Sequence, residues 1–210
     1  ILDYKSNSIF EGTYPACTLY RVSPDGDELT AISEKTEECF DTVQFAYNAN
    51  CGQGLEKVRV SSDGQFVLFH ASFNGECRIF KTPIYGDEHR PVCITEGKFA
   101  HNGMGVPKGG KVLISEAETG VPQSYHLLDE NTGEKTLLYQ SNRDWLQQNV
   151  LSTAEDFMFD TLDGVSRVHG FCLPPQNMEP GKKYPCIIYV HGGPHPFYTY
   201  GFDLEMQAYA

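Results

Sequence analysis

Cys186-Ile187-Ile188-Tyr189-Val190-His191-Gly192-Gly193-Pro194-His195 is the stretch that decides how the chain is read. Five apolar residues, three of them β-branched, run straight into two glycines and a proline. β-Branched side chains favour extended backbone, and a short apolar run bounded by turn residues has the pattern of a strand buried on both faces. Consecutive glycines then permit a tight turn whose backbone N–H groups point inward. The expectation is a buried strand at 186–190 that ends in a glycine turn.

Working back from there, Phe157-Met158-Phe159-Asp160-Thr161 alternates as a strand, turns at Asp163-Gly164 and returns as Val168-His169-Gly170-Phe171-Cys172-Leu173. A polar connector, Gln176 to Lys183 with Pro180-Gly181, leads into Tyr184-Pro185 and the apolar run. Ser141 to Leu146 reads as a capped helical turn. Beyond the glycines, Phe202, Met206 and Tyr209 stand at helical spacing on one face. That helix and the strand before it would lack the rest of a sheet, so the chain is expected to continue past Ala210.

Up to residue 140 the grammar is different. Short β-rich runs alternate with tight turns: Leu19 to Val22 and Leu29 to Ile32 about Asp25-Gly26, then Val58 to Val60 and Phe66 to Phe69 about Asp63-Gly64. Asp-Gly between β-formers predicts type I′ hairpins. The pattern recurs at Arg78 to Lys81 with Val92 to Thr95, at Lys111 to Ser115, and at Ser124 to Leu128 with Thr136 to Tyr139. Aligning Ile79 with Tyr125 gives a period of about 46 residues, and Leu19 with Ile79 about 60, in the range of propeller blades. A loop insertion near Asn48–Leu55 accounts for the longer interval. The fold expected is β-propeller blades over 1–140, with an ordinary β-sandwich as the alternative source of the repeats, followed over 141–210 by a unit whose strand and glycine turn look like the N-terminal part of an α/β-hydrolase domain.

With 16 basic against 28 acidic residues the net charge is −12, which argues against nucleic acid and anionic membranes as partners. The apolar runs stop at about five residues, against roughly 18 or more for a membrane helix. No secretory leader pattern opens the chain, although it begins on Ile1 rather than Met, which leaves an upstream start open. Seven cysteines without a Cys-x-x-Cys pair favour reduced thiols and a cytoplasmic protein. No clustered Cys and His suggest a metal, and no cofactor motif is read. His191 and His195 are four apart, but the glycines and proline between them exclude the helix that would make them a zinc pair. His70, His101, His126 and His169 read as packed or edge histidines, and Glu34 to Asp41 as a solvated acidic face.

Acyl transfer needs fixed donors aimed at the oxygen that gains negative charge. Pro194 has no N–H, so Gly192 and Gly193 are the backbone donors offered before His195, with Gly193 favoured by similarity to hydrolases that carry a His-Gly-Gly-Gly loop. His191 braces the loop and Pro194 shapes it. No Gly-x-Ser-x-Gly nucleophile elbow occurs in the 210 residues.

Phe157, Asp163-Gly164, His169-Gly170-Phe171, Pro174, Lys183-Tyr184-Pro185 and Val190 to His195 together resemble the prolyl oligopeptidase family of serine peptidases, most closely its acylaminoacyl-peptidase and dipeptidyl-peptidase-like branch. The likeness is specific over 141–210 and looser over 1–140. It implies a Ser-Asp-His triad in that chain order, short peptides as substrates and a propeller that restricts access. It also implies that no triad residue lies in this chain, which by itself would be inactive. Some branches carry a tyrosine where this chain has His191, so here the oxyanion would rest on backbone donors. A carboxylesterase or lipase, and a non-catalytic propeller scaffold, remain open readings. Oligomeric state is open too, a homo-oligomer included.

Overall fold

A computed structural model describes residues 2–4, 17–33, 58–73, 75–192 and 197–210. The acidic stretch Glu34 to Asp41, the insertion near Asn48–Leu55, and Gly193, Pro194 and His195 lie outside the described residues. Strands β1 (Leu2–Tyr4), β2 (Cys17–Val22) and β3 (Leu29–Ala31) form a small antiparallel sheet in that order. Strands β4 (Val58–Val60), β5 (Phe66–Phe73), β6 (Glu76–Pro83), β7 (Val92–Cys93), β8 (Ala100–Met104), β9 (Lys111–Glu118), β10 (Val121–Asp129) and β11 (Lys135–Gln140) form one eight-stranded sheet. Its order is β11-β10-β9-β8-β6-β5-β4, with β7 paired to β6 off that path. After helix α1 (Arg143–Leu146), β12 (Glu155–Asp160) and β13 (Arg167–Cys172) make a separate hairpin, and α2 (Leu204–Tyr209) follows.

Most strand positions agree with the sequence pattern, β8 and residues 186–190 excepted; their grouping does not. Propeller blades would be separate four-stranded sheets arranged about an axis. Instead β6 and β8 join in parallel where Cys77 faces Ala100, and the strands expected in different blades merge into one open sheet with β11 and β4 at its edges. Among the described residues there is no closed propeller. Alternation along a strand reports which side chains face inward, not which neighbour the backbone bonds to, and the blade reading came from alternation and spacing alone. The opening of an α/β-hydrolase sheet is likewise not formed. Residues 186–190 have no strand pairing, and Ile187, Ile188 and Val190 are 62%, 85% and 79% exposed. A strand buried on both faces needs neighbours on both edges, and none of the described strands pairs with this run.

Three turns share one construction, and it is not type I′. In Ser23-Pro24-Asp25-Gly26, Ser61-Ser62-Asp63-Gly64 and Thr161-Leu162-Asp163-Gly164, the glycine N–H donates to the carbonyl of the first residue. Only the glycines have positive φ (84°, 71° and 68°); the aspartates do not. This is a type I turn followed by a left-handed glycine. The aspartate carboxylate accepts from the hydroxyl of Ser61 or Thr161 and from the N–H of Gln65 or Val165. In all three turns the serine or threonine hydroxyl is the leading cause that holds the carboxyl below its ordinary range.

Two buried clusters use opposite faces of β5 and β6. Val67, Phe69, Ala71 and Phe80 pack against Leu19 and Ile32 of the small sheet. Leu68 and Ile79 point the other way, onto Met104, Val112, Ile114 and Leu128. Phe69 and Phe80 stand opposite each other in register and stack at 5.8 Å with almost no exposure. Beside the second cluster lies a buried polar group. Glu116 on β9 is ion-paired with Lys135 on β11, and faces His101 on β8 (3.4 Å) and His126 on β10 (3.6 Å). Burial is the main cause that keeps His101 neutral, well below the usual histidine range, and Lys135, His70 and His126 add to it.

Two outcomes are expected. Phe69→Ala, which empties a fully buried stacked site, should cost about 3–5 kcal/mol in urea unfolding; a loss below about 1 kcal/mol would show that the stack is not core. An unfolded histidine binds its proton near pH 6.5, whereas folded His101 does so only at lower pH. Its contribution to stability is therefore full above about pH 6.5 and lost as pH falls below that value. Unfolding midpoints between pH 8 and 5 should drop on the acid side, and His101→Gln should flatten the slope; an unchanged slope contradicts the assignment.

Candidate functional site

The approach to the glycine turn is a polar connector held by its own tyrosine. The Tyr184 hydroxyl accepts from the Glu179 N–H and donates to the Asn177 carbonyl. Residues 186–190 then run exposed to His191, which is half-buried, and Gly192, which is exposed. His191 Nδ1 lies 2.8 Å from the Gly192 carbonyl oxygen and donates to it. This contact is to the adjacent residue.

Gly192 does not have positive φ, and no described atom lies within 4 Å of where its Cβ would stand. Neither backbone conformation nor crowding within the described residues calls for glycine there. Open space at a glycine is what close approach of another molecule to the backbone requires. Gly193, the favoured donor, and Pro194 lie outside the described residues.

The chain that returns from the turn is tied down firmly. The Tyr198 ring meets His191 edge-on at 5.5 Å and Tyr189 at 6.4 Å. Thr199 and Tyr200 are buried. The Tyr200 N–H donates to the Gly75 carbonyl (2.9 Å), and its ring meets Phe171 edge-on at 4.9 Å. Gly75 has φ 81°, and a Cβ there would stand 2.7 Å from the Phe171 ring, so this junction admits only glycine.

Around the same tyrosine, Lys98 pairs with Asp156 on β12 and lies over the Tyr200 ring. The Asp156 carboxyl is held below its ordinary value by Lys98 first and the Tyr200 hydroxyl second. Burial first, then the bond to Asp156, pushes the Tyr200 phenol up. His169 on β13 stands 3.7 Å from Asp156 and packs on Phe171 at 4.7 Å.

The last helix is fixed by a polar residue rather than an apolar stripe. Asp203 caps α2 by accepting from the Glu205 and Met206 N–H groups. Of its residues Gln207 is the buried one; it accepts from the Ser152 N–H and donates to the Thr119 and Ser152 carbonyls. Tyr209, expected on an apolar face, is exposed and donates to Glu205. Residues 197–210 are therefore a strap bonded to the large sheet at Gly75 and at Thr119.

A serine, a histidine and a glutamate also meet on the sheet, but not as a catalytic relay. Ser124 Oγ (2.9 Å) and Glu116 (3.6 Å) both approach Nε2 of His126. A triad uses the two different ring nitrogens, one toward the nucleophile and one toward the carboxylate. Ser124 and Glu116 are moreover buried. Among the described residues no group of three His, Cys, Asp or Glu side chains could hold a metal ion, and no helix is long and apolar enough to cross a membrane.

Sequence reasoning did not single out Lys98, Asp156, Tyr198 and Tyr200. The aromatic pair in Tyr198-Thr199-Tyr200 was a usable signal, since buried tyrosines need partners for their hydroxyls. The Lys98–Asp156 pair, 58 residues apart, left none.

No protein-family model matches the chain. It is 34% identical over 77 residues to an uncharacterized peptidase, YuxL, of Bacillus subtilis, covering 37% of this chain and 12% of that protein. It is 21% identical over 197 residues to dipeptidyl-peptidase 5 of Aspergillus fumigatus, covering 87% and 27%. Among solved structures, an acylaminoacyl peptidase in complex with Z-Gly-Gly-Phe-chloromethyl ketone matches with a TM-score of 0.69 at 19% identity, over 92% of this chain and 27% of that one. That last likeness is one of fold. The chain thus spans about an eighth to a quarter of these relatives. With the motif of residues 183–195 already read from the chain, these likenesses support its resemblance to the prolyl oligopeptidase family of serine peptidases.

Proposed function

We propose that the complete protein is a serine-type peptidase that hydrolyses short peptides through an acyl-enzyme. Gly192 and Gly193, Gly193 above all, donate backbone N–H groups to the oxyanion. The observation that carries this reading is Gly192. It is an exposed glycine that neither its backbone conformation nor crowding among the described residues explains, its carbonyl bonded by His191. The names of the relatives, peptidases all, favour an amide over a simple ester as substrate.

In this mechanism a serine outside the 210 residues attacks the scissile carbonyl, a histidine takes its proton and an aspartate orients that histidine. The carbonyl oxygen becomes an oxyanion within reach of the glycine amides. The peptidase part begins near residue 141, and the 210 residues alone are inactive. The thiols of Cys172 and Cys186, both exposed and outside any disulfide, fit a reducing compartment such as the cytoplasm.

Gly193→Pro removes one donor, and its ring also restricts the backbone of Gly192. In the complete protein it should lower turnover of a peptidyl-nitroanilide about 100- to 1,000-fold without moving the unfolding midpoint. Turnover near that of the unaltered protein would sink the assignment. Residues 1–210 expressed alone should give no turnover; measurable hydrolysis would place the nucleophile within them.

A further inference from the structure

The strand that closes one side of the large sheet is thinly covered. Among the described strands β11 bonds to β10 alone, and its Leu137, Leu138 and Tyr139 stand open to solvent. Its ladder to β10 shifts register between the pairs His126–Leu137 and Tyr125–Tyr139. Toward its end the Tyr139 ring meets Tyr125 at 6.3 Å, and the Gln140 amide donates to the Pro122 carbonyl. At its start one long side chain reaches inward. The Lys135 ammonium pairs with the buried carboxylate of Glu116 on β9 and lies 3.9 Å from the centre of the Phe99 ring.

Glu116 has other claimants. His101 Nδ1 stands 3.4 Å from the oxygen that Lys135 uses, and His126 Nε2 stands 3.6 Å from the other, with Ser124 Oγ at 2.9 Å. While both imidazoles are neutral, one carboxylate balances one cation. A proton on His126 would set a second cation against the same carboxylate, where burial makes an unbalanced charge costly. His126 is the more accessible of the two histidines, its side chain 14% exposed against 2% for His101. The neighbouring strands add His70 on β5, which acts on His101, and Cys77 on β6, opposite Ala100. Glu118, two residues along β9, is pushed up by burial first and by Glu116 second.

We propose that Glu116, His126 and Lys135 form an acid-sensitive clamp on β11: a proton on His126 competes with Lys135 for Glu116 and frees the edge strand while the rest of the sheet stays formed. The register shift beside His126 is where the ladder is least regular, so release begins at a place already weak. Burial first, with Lys135 adding to it against the pull of Glu116, holds His126 below the usual histidine range in the clamped sheet. A released histidine binds its proton near pH 6.5. The clamp is therefore at full strength above about pH 6.5 and weakens below it, by up to about tenfold in the closing equilibrium per pH unit. Glu118 takes its proton more readily in the folded sheet and so works the other way at the acid end.

The test is hydrogen exchange, read by mass spectrometry on the complete protein between about pH 7.5 and 5.5 and corrected for the intrinsic effect of pH. Protection over residues 135–140 should fall by up to about tenfold per unit below pH 6.5, while residues 66–83 of β5 and β6 keep theirs. His126→Gln should abolish the fall, and His126→Asn takes its place should that variant fail to fold. Lys135→Met should lessen the fall, because the proton then meets a carboxylate with no rival cation. No fall at all, a fall shared equally by residues 66–83, or a fall unchanged by His126→Gln or by Lys135→Met would overturn the clamp.

Discussion

The large sheet is one body because β6 and β8 meet along a short parallel seam, where Cys77 stands opposite Ala100. The Cys77 N–H donates to the Phe99 carbonyl and the Ile79 N–H to the buried hydroxyl oxygen of Thr95. The second buried cluster crosses that seam, with Leu68 and Ile79 on one side and Met104, Val112, Ile114 and Leu128 on the other. Few hydrogen bonds are involved, but they bring the two sides of that second cluster together. Much else follows from them. The hairpin of β5 and β6 is carried to a place where Gly75, at its turn, receives the Tyr200 N–H. The end of β9 is carried to where the Thr119 carbonyl receives Gln207.

The strap of residues 197–210 draws its rigidity from polar contacts, in a region where exposed apolar side chains are common. Phe157, Phe159, Ile187, Ile188 and Val190 all stand open, whereas Thr199, Tyr200 and Gln207 are buried and bonded. A buried amide such as Gln207 costs free energy unless its groups are paired, and here its oxygen and nitrogen meet three backbone partners. Such bonds specify one register, which generic apolar packing would not. A segment that must return from a glycine turn to a single place gains most from that specificity.

Much of this was legible in the chain, and the failures are instructive. Asp25-Gly26, Asp63-Gly64 and Asp163-Gly164 announced their turns, and the strands on either side lie where alternation put them. The turn type was misread because the preceding Ser or Thr, whose hydroxyl engages the aspartate, was not taken as part of the motif. β8 was not singled out, since His101-Asn102-Gly103 is too polar to read as a buried strand, although all five of its residues are buried. Propeller blades were inferred from spacing, and spacing carries no information about the Cys77–Ala100 seam. Residues 186–190 have the composition of a central strand, but composition supplies no neighbour for them to bond. Of the candidate site, the motif points to the glycines and His191; Tyr200 was not legible because its backbone partner, Gly75, lies more than a hundred residues away.

The proposal that a serine outside these residues attacks a carbonyl beside the glycine turn is tested most directly by covalent labelling. The complete protein would be treated with a fluorophosphonate, which reacts with activated serines, and the adduct located by mass spectrometry. One stoichiometric adduct on a serine outside residues 1–210, prevented by a competing peptide substrate, is the expected result. No adduct, or an adduct within residues 1–210, would contradict it.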